Sequence, residues 1–230
     1  MKFGDVDPRL MSAAAFVRQG AVLADIGTDH GYLPIFLLEE GRIERAVLAD
    51  INEGPLASAR DNCARRALSD RVSFFLTDGA RGLDGQGVTD VTVCGMGGEL
   101  IANIIEASPW LKTEGLRLIL QPMSRQEKLL SYLISHGFEI SDRAYSESGG
   151  KYYLCLVAVY TGANAQTSEL DLLLGDIPAD PCQISAYIGY LKGKLSTLNK
   201  MRNGRSGEEK EIAEEQYAAV LDRIARASEK

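Results

Sequence analysis

Short apolar runs alternate with segments of helical periodicity over the first 160 residues. The runs are rich in Val, Ile, Leu and Phe, which is typical of buried strands, and the segments between them space their apolar residues as helices do. Since parallel neighbouring strands need a crossover connection, this alternation predicts a doubly wound α/β sheet. Five strands are predicted, at 21–26 (AVLADI), 45–50 (RAVLAD), 72–78 (VSFFLTD), 88–95 (VTDVTVCG) and 116–122 (LRLILQP).

The pattern then closes on two strands without a helix between them. FEISDRAY (138–145) and YYLCLVAVY (152–160) are separated only by SESGGK, which favours a β-hairpin. We therefore predict a Rossmann-like domain over residues 1–162, with a mostly parallel sheet and an antiparallel last strand.

A different period appears beyond Gly162. Ile184, Ile188, Leu191, Leu195 and Leu198 are spaced 4, 3, 4 and 3, the seam of a coiled coil. The stretch 203–209 (NGRSGEE) interrupts it, and a second apolar stripe follows. Residues 163–230 are therefore predicted to form a helical hairpin; two independent helices packed on the main domain are the alternative. The second stripe comprises Ile212, Gln216, Val220 and Ile224.

Glycines and polar residues follow every predicted parallel strand. In doubly wound sheets the ligand binds outside the carboxyl ends of the strands, so these residues predict a site. Each alone could be an ordinary turn or helix cap, but their joint occurrence on one edge favours a ligand. They are Gly27, Thr28, Asp29, His30 and Gly31, then Asp50, then Asp78 and Gly79, then Gly95, Met96, Gly97 and Gly98, and finally Gln121, Pro122 and Met123.

Asp29 bears on the charge of that ligand. A dinucleotide places its pyrophosphate on the first helix N-terminus, where Asp29 would repel it by about 1 kcal/mol in water and about 4 kcal/mol at an effective dielectric of about 20, for a separation of about 4 Å. S-adenosylmethionine fits better, with its sulfonium, its amino group, a ribose for Asp50 and an adenine amine for Asp78. A plain N-cap role for Asp29 stays open.

Composition sets outer limits on the class of protein. The 230 residues are 45% hydrophobic and 25% charged, as in ordinary globular proteins. No apolar run is long enough for a membrane span and the N-terminus lacks an apolar signal region, so we expect a cytoplasmic protein. Four cysteines without CxxC spacing and two histidines predict neither a zinc site nor a disulfide framework, and Cys94 and Cys155 are interpreted as buried strand residues.

The charge distribution matters more than its total. The net charge of −7 is unusual for a general RNA binder. Residues 184–207, however, contain five bases and no acid, whereas 208–230 contain seven acids and four bases. The basic and the acidic helix could simply attract each other electrostatically, or the basic helix could bind phosphate groups of a nucleic acid. Its bases are Lys192, Lys194, Lys200, Arg202 and Arg205.

The stretch ADIGTDHGYLP (24–34) resembles motif I of class I methyltransferases. The form is that of the bacterial tRNA (adenine-22-N1)-methyltransferase family, and the resemblance continues through LADIN, TDGARGL, VCGMGGELI, LILQPM and ESGGKYYLCLVAVYTG. It implies a Rossmann-like domain, S-adenosylmethionine as donor, tRNA as substrate, N1 of adenine 22 in the D-arm region as acceptor, and a C-terminal domain that helps to hold tRNA.

The positions of particular residues, together with the same resemblance, indicate their roles. Asp29, His30 and Met96 are the candidates nearest the transfer point, Arg9 is a candidate for the donor carboxylate or a phosphate, and Tyr32 for stacking on the target base. The GMGG turn replaces the Asn/Asp-Pro-Pro-aromatic tetrapeptide of many amino-methyltransferases, which fits a ring nitrogen as acceptor. The implied donor-binding residues are Gly27, Asp29, His30, Gly31, Asp50, Ile51, Asp78, Gly79, Gly95 and Met96.

Two other functions remain compatible with the sequence. One is a small-molecule methyltransferase on the same fold, and the other a non-enzymatic donor-binding protein that dimerises through the hairpin. An NAD-dependent oxidoreductase is disfavoured by Asp29 and by the missing third glycine of the dinucleotide fingerprint. The oligomeric state stays open, with a monomer favoured.

Overall fold

The computed structural model describes residues 7–163 and 168–230. Among these residues the helices are α1 (Pro8–Phe16), α2 (Tyr32–Glu39), α3 (Glu53–Ala64), α4 (Gly98–Glu106), α5 (Gln126–Ser135), α6 (Glu169–Leu174), α7 (Pro181–Gly204) and α8 (Glu208–Ser228), with short 3-10 turns at Ser69–Arg71 and Pro109–Leu111. The strands are β1 (Ala21–Ile26), β2 (Ile43–Asp50), β3 (Val72–Leu76), β4 (Asp90–Gly97), β5 (Arg117–Ser124), β6 (Phe138–Ser148) and β7 (Lys151–Tyr160).

The strands of the described residues form one sheet in the order β3-β2-β1-β4-β5-β7-β6. Strands β1 to β5 pair in parallel. Strand β7 is antiparallel to both of its neighbours, β5 and β6. The predicted α/β architecture, with a mostly parallel sheet and an antiparallel last strand, is confirmed.

A two-glycine turn joins β6 to β7. Gly149 and Gly150 both have positive φ, at 59° and 73°, which suits the tight turns whose twist matches that of the flanking strands. The ladder therefore reaches Ser148 and Lys151, so both strands are longer than the sequence predicted.

Both faces of the sheet are covered. On one face α1, α2 and α3 enclose a core that includes Leu23 and Leu48. On the other face α4 and α5 cover a core that includes Ile26 and Val93. Alternate residues of the central strands thus point into different cores, as the period of a strand requires.

Helices α7 and α8 pack on each other as the predicted hairpin. On α7 the predicted seam is buried or half-buried. The predicted stripe on α8 is wrong at Ile212, which is 47% exposed, because the buried positions are Ala213, Val220 and Ala227. These repeat every seven residues, and the two alanines let the helices approach closely.

The hairpin shares a core with the sheet. The cluster that contains Val93 of β4 and Leu156 of β7 also contains Leu191 of α7 and Val220 of α8. Tyr187 of α7 is buried and donates a hydrogen bond to the Leu174 carbonyl at 3.0 Å. The boundary between residues 162 and 163 stays a prediction, and residues 164–167 beside it lie outside the described part of the chain.

Several local predictions need correction. Helix α3 ends at Ala64, and Ala67 beyond it has φ 55°. The residues predicted to follow the fourth and fifth strands lie within β4 and β5, which continue to Gly97 and Ser124, except Gly98, which begins α4. Cys155 is buried as predicted, whereas Cys94 is only half-buried, and all four thiols are free.

Candidate functional site

The carboxyl ends of β1, β2 and β3 lie side by side. The backbone N–H groups of Gly27 and Thr28 donate to the Ala49 carbonyl at 2.8 and 3.1 Å, and Thr77 donates to the Asp50 carbonyl at 3.0 Å. The first glycine turn is therefore attached directly to the end of β2. This edge brings together the predicted positions 27–31, 50, 51, 78 and 79.

The turn between β1 and α2 follows a left-handed path. Gly27, His30 and Gly31 have φ values of 72°, 56° and 70°. A Cβ on Gly31 would lie 3.1 Å from Leu48 Cδ2, so glycine allows α2 to pack closely against β2. The turn depends on glycine both for its backbone angles and for this close approach.

Asp29 does not cap α2. The N-cap residue is Gly31, and no side chain accepts a hydrogen bond from the first turn. The Asp29 side chain is 81% exposed, and its Oδ1 lies 3.1 Å from Nε2 of His30. The His30 ring in turn stacks on Tyr32 with 5.4 Å between the ring centroids. The alternative of a plain cap is thereby excluded, and an exposed acid remains at this turn.

The ends of β2 and β3 present two acids and an apolar side chain. Asp50 Oδ1 accepts a hydrogen bond from the Asn52 backbone N–H at 2.7 Å, which leaves its other oxygen uncommitted in the described structure. Ile51 is 64% exposed and so presents an apolar surface at this edge. Asp78 is also exposed, with Arg81 at 3.7 Å. Such an edge can hold a ribose between hydroxyl acceptors and an apolar ring contact.

A bulge in β4 carries Met96 over the first turn. The pairing of β4 with β5 shifts register between Cys94 and Met96, and Gly95 there has φ 81°. A Cβ on Gly27 would lie 2.0 Å from Met96 Cε. The Met96 side chain therefore covers Gly27 and links the end of β4 to the end of β1.

Arg9 reaches the same edge from α1. Asp7 holds its guanidinium with a contact of 3.0 Å between Nη2 and Oδ2. Arg9 Nη1 donates to Gln121 Oε1 at 3.3 Å and lies 3.1 Å from Met123 Sδ, both in β5. The guanidinium also lies over the Tyr153 ring, 5.3 Å from its centroid. Sequence reasoning missed Asp7 and Tyr153, for which no spacing gave a signal.

A buried carboxylate lies within β1 just before the turn. Asp25 Oδ1 accepts a hydrogen bond from Thr92 Oγ1 at 2.7 Å. Burial raises the pKa of Asp25 above its usual value, although the Thr92 hydrogen bond acts in the opposite direction and the charges of Asp29 and Asp50 add to the rise. Sequence reasoning also missed this residue, because an acid inside an apolar run resembles an exposed strand position.

The five basic residues of the hairpin differ in their surroundings. Lys192, Lys200 and Arg205 are exposed, and Arg205 pairs with Glu209 at 3.6 Å. Arg202 lies over the Tyr217 ring of α8 at 4.3 Å. Lys194 is only 16% exposed and donates to Gln126 Oε1 of α5 at 2.8 Å. Lys194 thus ties the hairpin to the sheet domain instead of joining an open basic face.

Neither residues 7–163 nor residues 168–230 contain a cluster of His, Cys, Asp and Glu that could hold a metal ion. No helix within the same ranges is long and apolar enough to cross a membrane.

Known proteins match this arrangement in sequence and in fold. A family profile described as "Methyltransferase domain" matches residues 6–156. The tRNA (adenine(22)-N(1))-methyltransferase of Bacillus subtilis is 33% identical over 167 residues, which cover 73% of this chain and 70% of that protein.

Two solved structures are similar over almost the whole chain. The Streptococcus pneumoniae protein Sp1610, in complex with S-adenosyl-L-methionine, superposes with a TM-score of 0.81 at 32% identity, covering 95% of this chain and 99% of the other. The Bacillus subtilis M1A22 tRNA methyltransferase superposes with a TM-score of 0.75 at 26% identity, covering 97% of each. The chain therefore belongs to the tRNA (adenine(22)-N(1))-methyltransferase family and carries a methyltransferase domain.

Proposed function

We propose that the chain transfers a methyl group to N1 of adenine 22 in tRNA and that the transfer takes place at the carboxyl edge of β1, β2 and β4. The family relationship supports the substrate. The observation that carries the site is Asp29, an exposed acid in a left-handed glycine turn whose side chain has no capping role. An acid at this place disfavours a phosphate-bearing ligand and suits a cationic one.

The donor is assigned to residues along this edge. In the proposed arrangement Gly27, Asp29, His30 and Gly31 line its methionine end. Asp50 accepts hydrogen bonds from the ribose hydroxyls through the oxygen that Asn52 leaves uncommitted. Ile51 gives an apolar surface to the adenine, with Asp78 and Gly79 at the adenine edge. Gly95 and Met96 close the edge from β4, because the bulge carries Met96 over Gly27.

Bound S-adenosylmethionine supplies an electrophilic methyl group. Adenine N1 carries an in-plane lone pair at neutral pH, so no proton has to leave before it attacks. The protein's main contribution is then alignment, and positioning of two reactants can supply about 7 to 11 kcal/mol of a barrier. Asp29, His30 and Met96 are assigned to the transfer point as the groups that hold the reactants in place.

The target base has to leave its stack. N1 lies on the Watson–Crick edge, so an adenine that reacts there is unpaired or flipped, at a cost of a few kcal/mol. The exposed Tyr32 ring, already stacked with His30, offers an aromatic surface to such a base. Arg9 is held at the same edge by Asp7 and Gln121 and is assigned to the donor carboxylate or to a tRNA phosphate.

The hairpin is assigned to tRNA binding. Its exposed bases Lys192, Lys200 and Arg205 supply positive charge on a chain of net charge −7. Arg202 and Lys194 complete the basic set, but their contacts with Tyr217 and Gln126 assign them mainly to holding the hairpin in place. Residues 163–230 then act as a tRNA-binding domain beside a catalytic domain of residues 1–162. A tRNA substrate also supports a cytoplasmic location, and the proposal needs only a monomer.

The proposal is tested by incubating the protein with S-adenosylmethionine labelled on its methyl group, and with tRNA from cells that lack this modification. The expected result is label in the tRNA fraction, with none in a parallel reaction that contains only cellular small molecules. Label only in the small-molecule reaction would support a small-molecule methyltransferase. Donor binding without transfer, together with a dimer whose mass is unchanged by tRNA, would support a non-enzymatic protein that dimerises through the hairpin.

A further inference from the structure

A buried glutamine lies where the ladder between β4 and β5 breaks. Gln121 is fully buried although its side chain is polar. In the register of the two strands Gln121 pairs with Cys94, and Pro122 pairs with Met96. Gly95 of β4, which lies between them, therefore has no partner residue in β5. This is the extra residue of a β-bulge, whose backbone groups lose their partners in the ladder.

Gln121 replaces the partner that Gly95 has lost. Its Oε1 accepts a hydrogen bond from the Gly95 backbone N–H at 3.1 Å. Pro122, the next residue of β5, has no N–H to donate to a carbonyl of β4, so the regular ladder cannot continue there. An unpartnered N–H at this depth costs about 1 to 3 kcal/mol, so the side chain of Gln121 stabilises the bulge in the form observed.

The same oxygen also receives Arg9. Arg9 Nη1 donates to Gln121 Oε1 at 3.3 Å, and the rest of the guanidinium is held by Asp7 and lies over Tyr153. One buried acceptor therefore joins α1 to β4. It sets where the Arg9 charge lies relative to Met96, the residue that follows Gly95 and covers Gly27.

We propose that Gln121 is a positioning residue for methyl transfer, one that touches neither donor nor base and acts by fixing Met96 and Arg9 through a single buried oxygen. The inference rests on the proposed function of the edge. Loss of this oxygen frees the bulge and removes the hydrogen bond between the guanidinium and Gln121, while the contacts assigned to the donor on β1, β2 and β3 remain. Misplacement of groups around the reacting atoms lowers kcat more than it weakens binding of the substrates.

The test compares two substitutions of similar size. Gln121→Met fills the cavity without an acceptor, and Gln121→Glu retains an acceptor for both Gly95 and Arg9. Gln121→Met is expected to lower kcat by about ten- to a hundredfold, whereas the donor Kd and the KM for tRNA, to which Met96 and Arg9 also contribute, rise by a much smaller factor. Gln121→Glu is expected to restore kcat to within about threefold of the wild type, which a mere packing role would not produce.

A double substitution shows whether Arg9 carries the effect. If Gln121 acts partly through Arg9, the fold-loss of kcat in the double variant is smaller than the product of the losses in Gln121→Met and Arg9→Gln. Rates are divided by the concentration of folded donor sites, measured by titration with S-adenosylhomocysteine. Should Gln121→Met fail to fold, Gln121→Asn, which withdraws the oxygen by one methylene, carries the same expectation.

Two results would overturn the inference. One is a kcat for Gln121→Met within about twofold of the wild type, and the other is a loss that follows the donor Kd or that Gln121→Glu does not reverse. Inactivity of the wild-type protein on tRNA would instead count against the proposed function, so the two failures are distinguishable.

Discussion

The side-chain methyl of Met96 occupies the space that a Cβ on Gly27 would need, since such an atom would lie 2.0 Å from Met96 Cε. The two residues come from different strands, and their contact joins the first glycine turn to the bulge of β4. Gly27 also has φ 72°, which by itself favours glycine, and a Cβ there would in addition require the flexible end of the Met96 side chain to move.

Gly27→Ala is therefore expected to do more harm than its backbone angle alone explains. A left-handed φ costs an alanine about 1 to 2 kcal/mol, and the displacement of Met96 adds to that. We expect a lower Tm and a donor Kd raised by about tenfold or more, measured by thermal unfolding and by calorimetry with S-adenosylhomocysteine.

Gly41→Ala is the matched control for this substitution. Gly41 has φ 64° and open space around its Cα, so the control carries the backbone cost without the contact. Adding Met96→Ala to Gly27→Ala should return the Tm toward that of Gly41→Ala. Equal losses of Tm in the two single variants would contradict the role of the contact.

Asp50→Ala is expected to abolish donor binding in the measured range, because the carboxylate is assigned to both ribose hydroxyls. Asp50→Asn retains one acceptor oxygen, and we expect an intermediate Kd. Calorimetric titration with S-adenosylhomocysteine measures both. Asp61→Ala removes an exposed acid of α3 and serves as the control; a Kd for Asp50→Ala equal to that of Asp61→Ala would remove Asp50 from the site.

Substitutions of the basic residues of α7 are expected to affect tRNA binding differently, according to how exposed each side chain is. Lys192→Ala and Lys200→Ala are each expected to weaken tRNA binding and to reduce the slope of log K against log salt by about one. Lys194→Ala should leave the slope unchanged and lower the Tm, since Lys194 donates to Gln126 in a buried contact. Filter binding over a series of salt concentrations gives the slopes.

Lys210→Ala on α8 is the control for this series. Lys210 is exposed and lies 3.7 Å from Glu214 of its own helix, so its loss should not change the salt slope. Identical slopes for the Lys192, Lys200 and Lys210 variants would mean that the basic residues of α7 only attract the acidic helix.

Asp25 predicts a pH dependence of stability. Burial raises its pKa in the folded protein above that in the unfolded chain, so the folded state holds the proton more strongly and stability falls as the pH rises between the two values. At neutral pH the folded protein has either to keep this carboxyl protonated or to bury its charge, and both lower its stability. Asp25→Asn should raise the Tm at pH 7, and this gain should vanish below the ordinary carboxyl pKa of about 3.9.

Thermal unfolding from acid to neutral pH measures the effect. Asp90→Asn gives a useful contrast, because buried Asp90 pairs with Arg18 at 3.0 Å and its amide variant should lose stability. A Tm for Asp25→Asn below that of the wild type at pH 7 would contradict the assignment of the raised pKa to burial.

Much of the fold follows from local patterns in the sequence. The alternation of apolar runs with helical segments predicted the parallel strands. The short connection between the last two apolar runs predicted the hairpin, and with it the antiparallel direction of β7. The glycines and acids after β1, β2 and β3 lie on one edge because the ends of parallel strands must. Each of these features depends on residues close together in the chain.

The features that the sequence patterns did not predict depend on residues that are far apart in the chain. The place of β7 between β5 and β6 results from pairing across the sheet. The bulge at Gly95 needs Gln121, 26 residues further along the chain, and Arg9 meets Gln121 across 112 positions. Ile212 was assigned to the buried stripe by its hydrophobicity, whereas close packing of two helices selected the smaller Ala213 one residue on.

The most direct measurement maps the methyl group on the product. A tRNA that carries adenine 22 is incubated with the protein and S-adenosylmethionine, and its nucleosides and fragments are analysed by mass spectrometry and by reverse-transcription stops. The expected product is 1-methyladenosine at position 22, and no product is expected when that adenine is replaced by guanine. Methyl on the exocyclic amine, methyl at another position, or no transfer to this tRNA would contradict the proposed function.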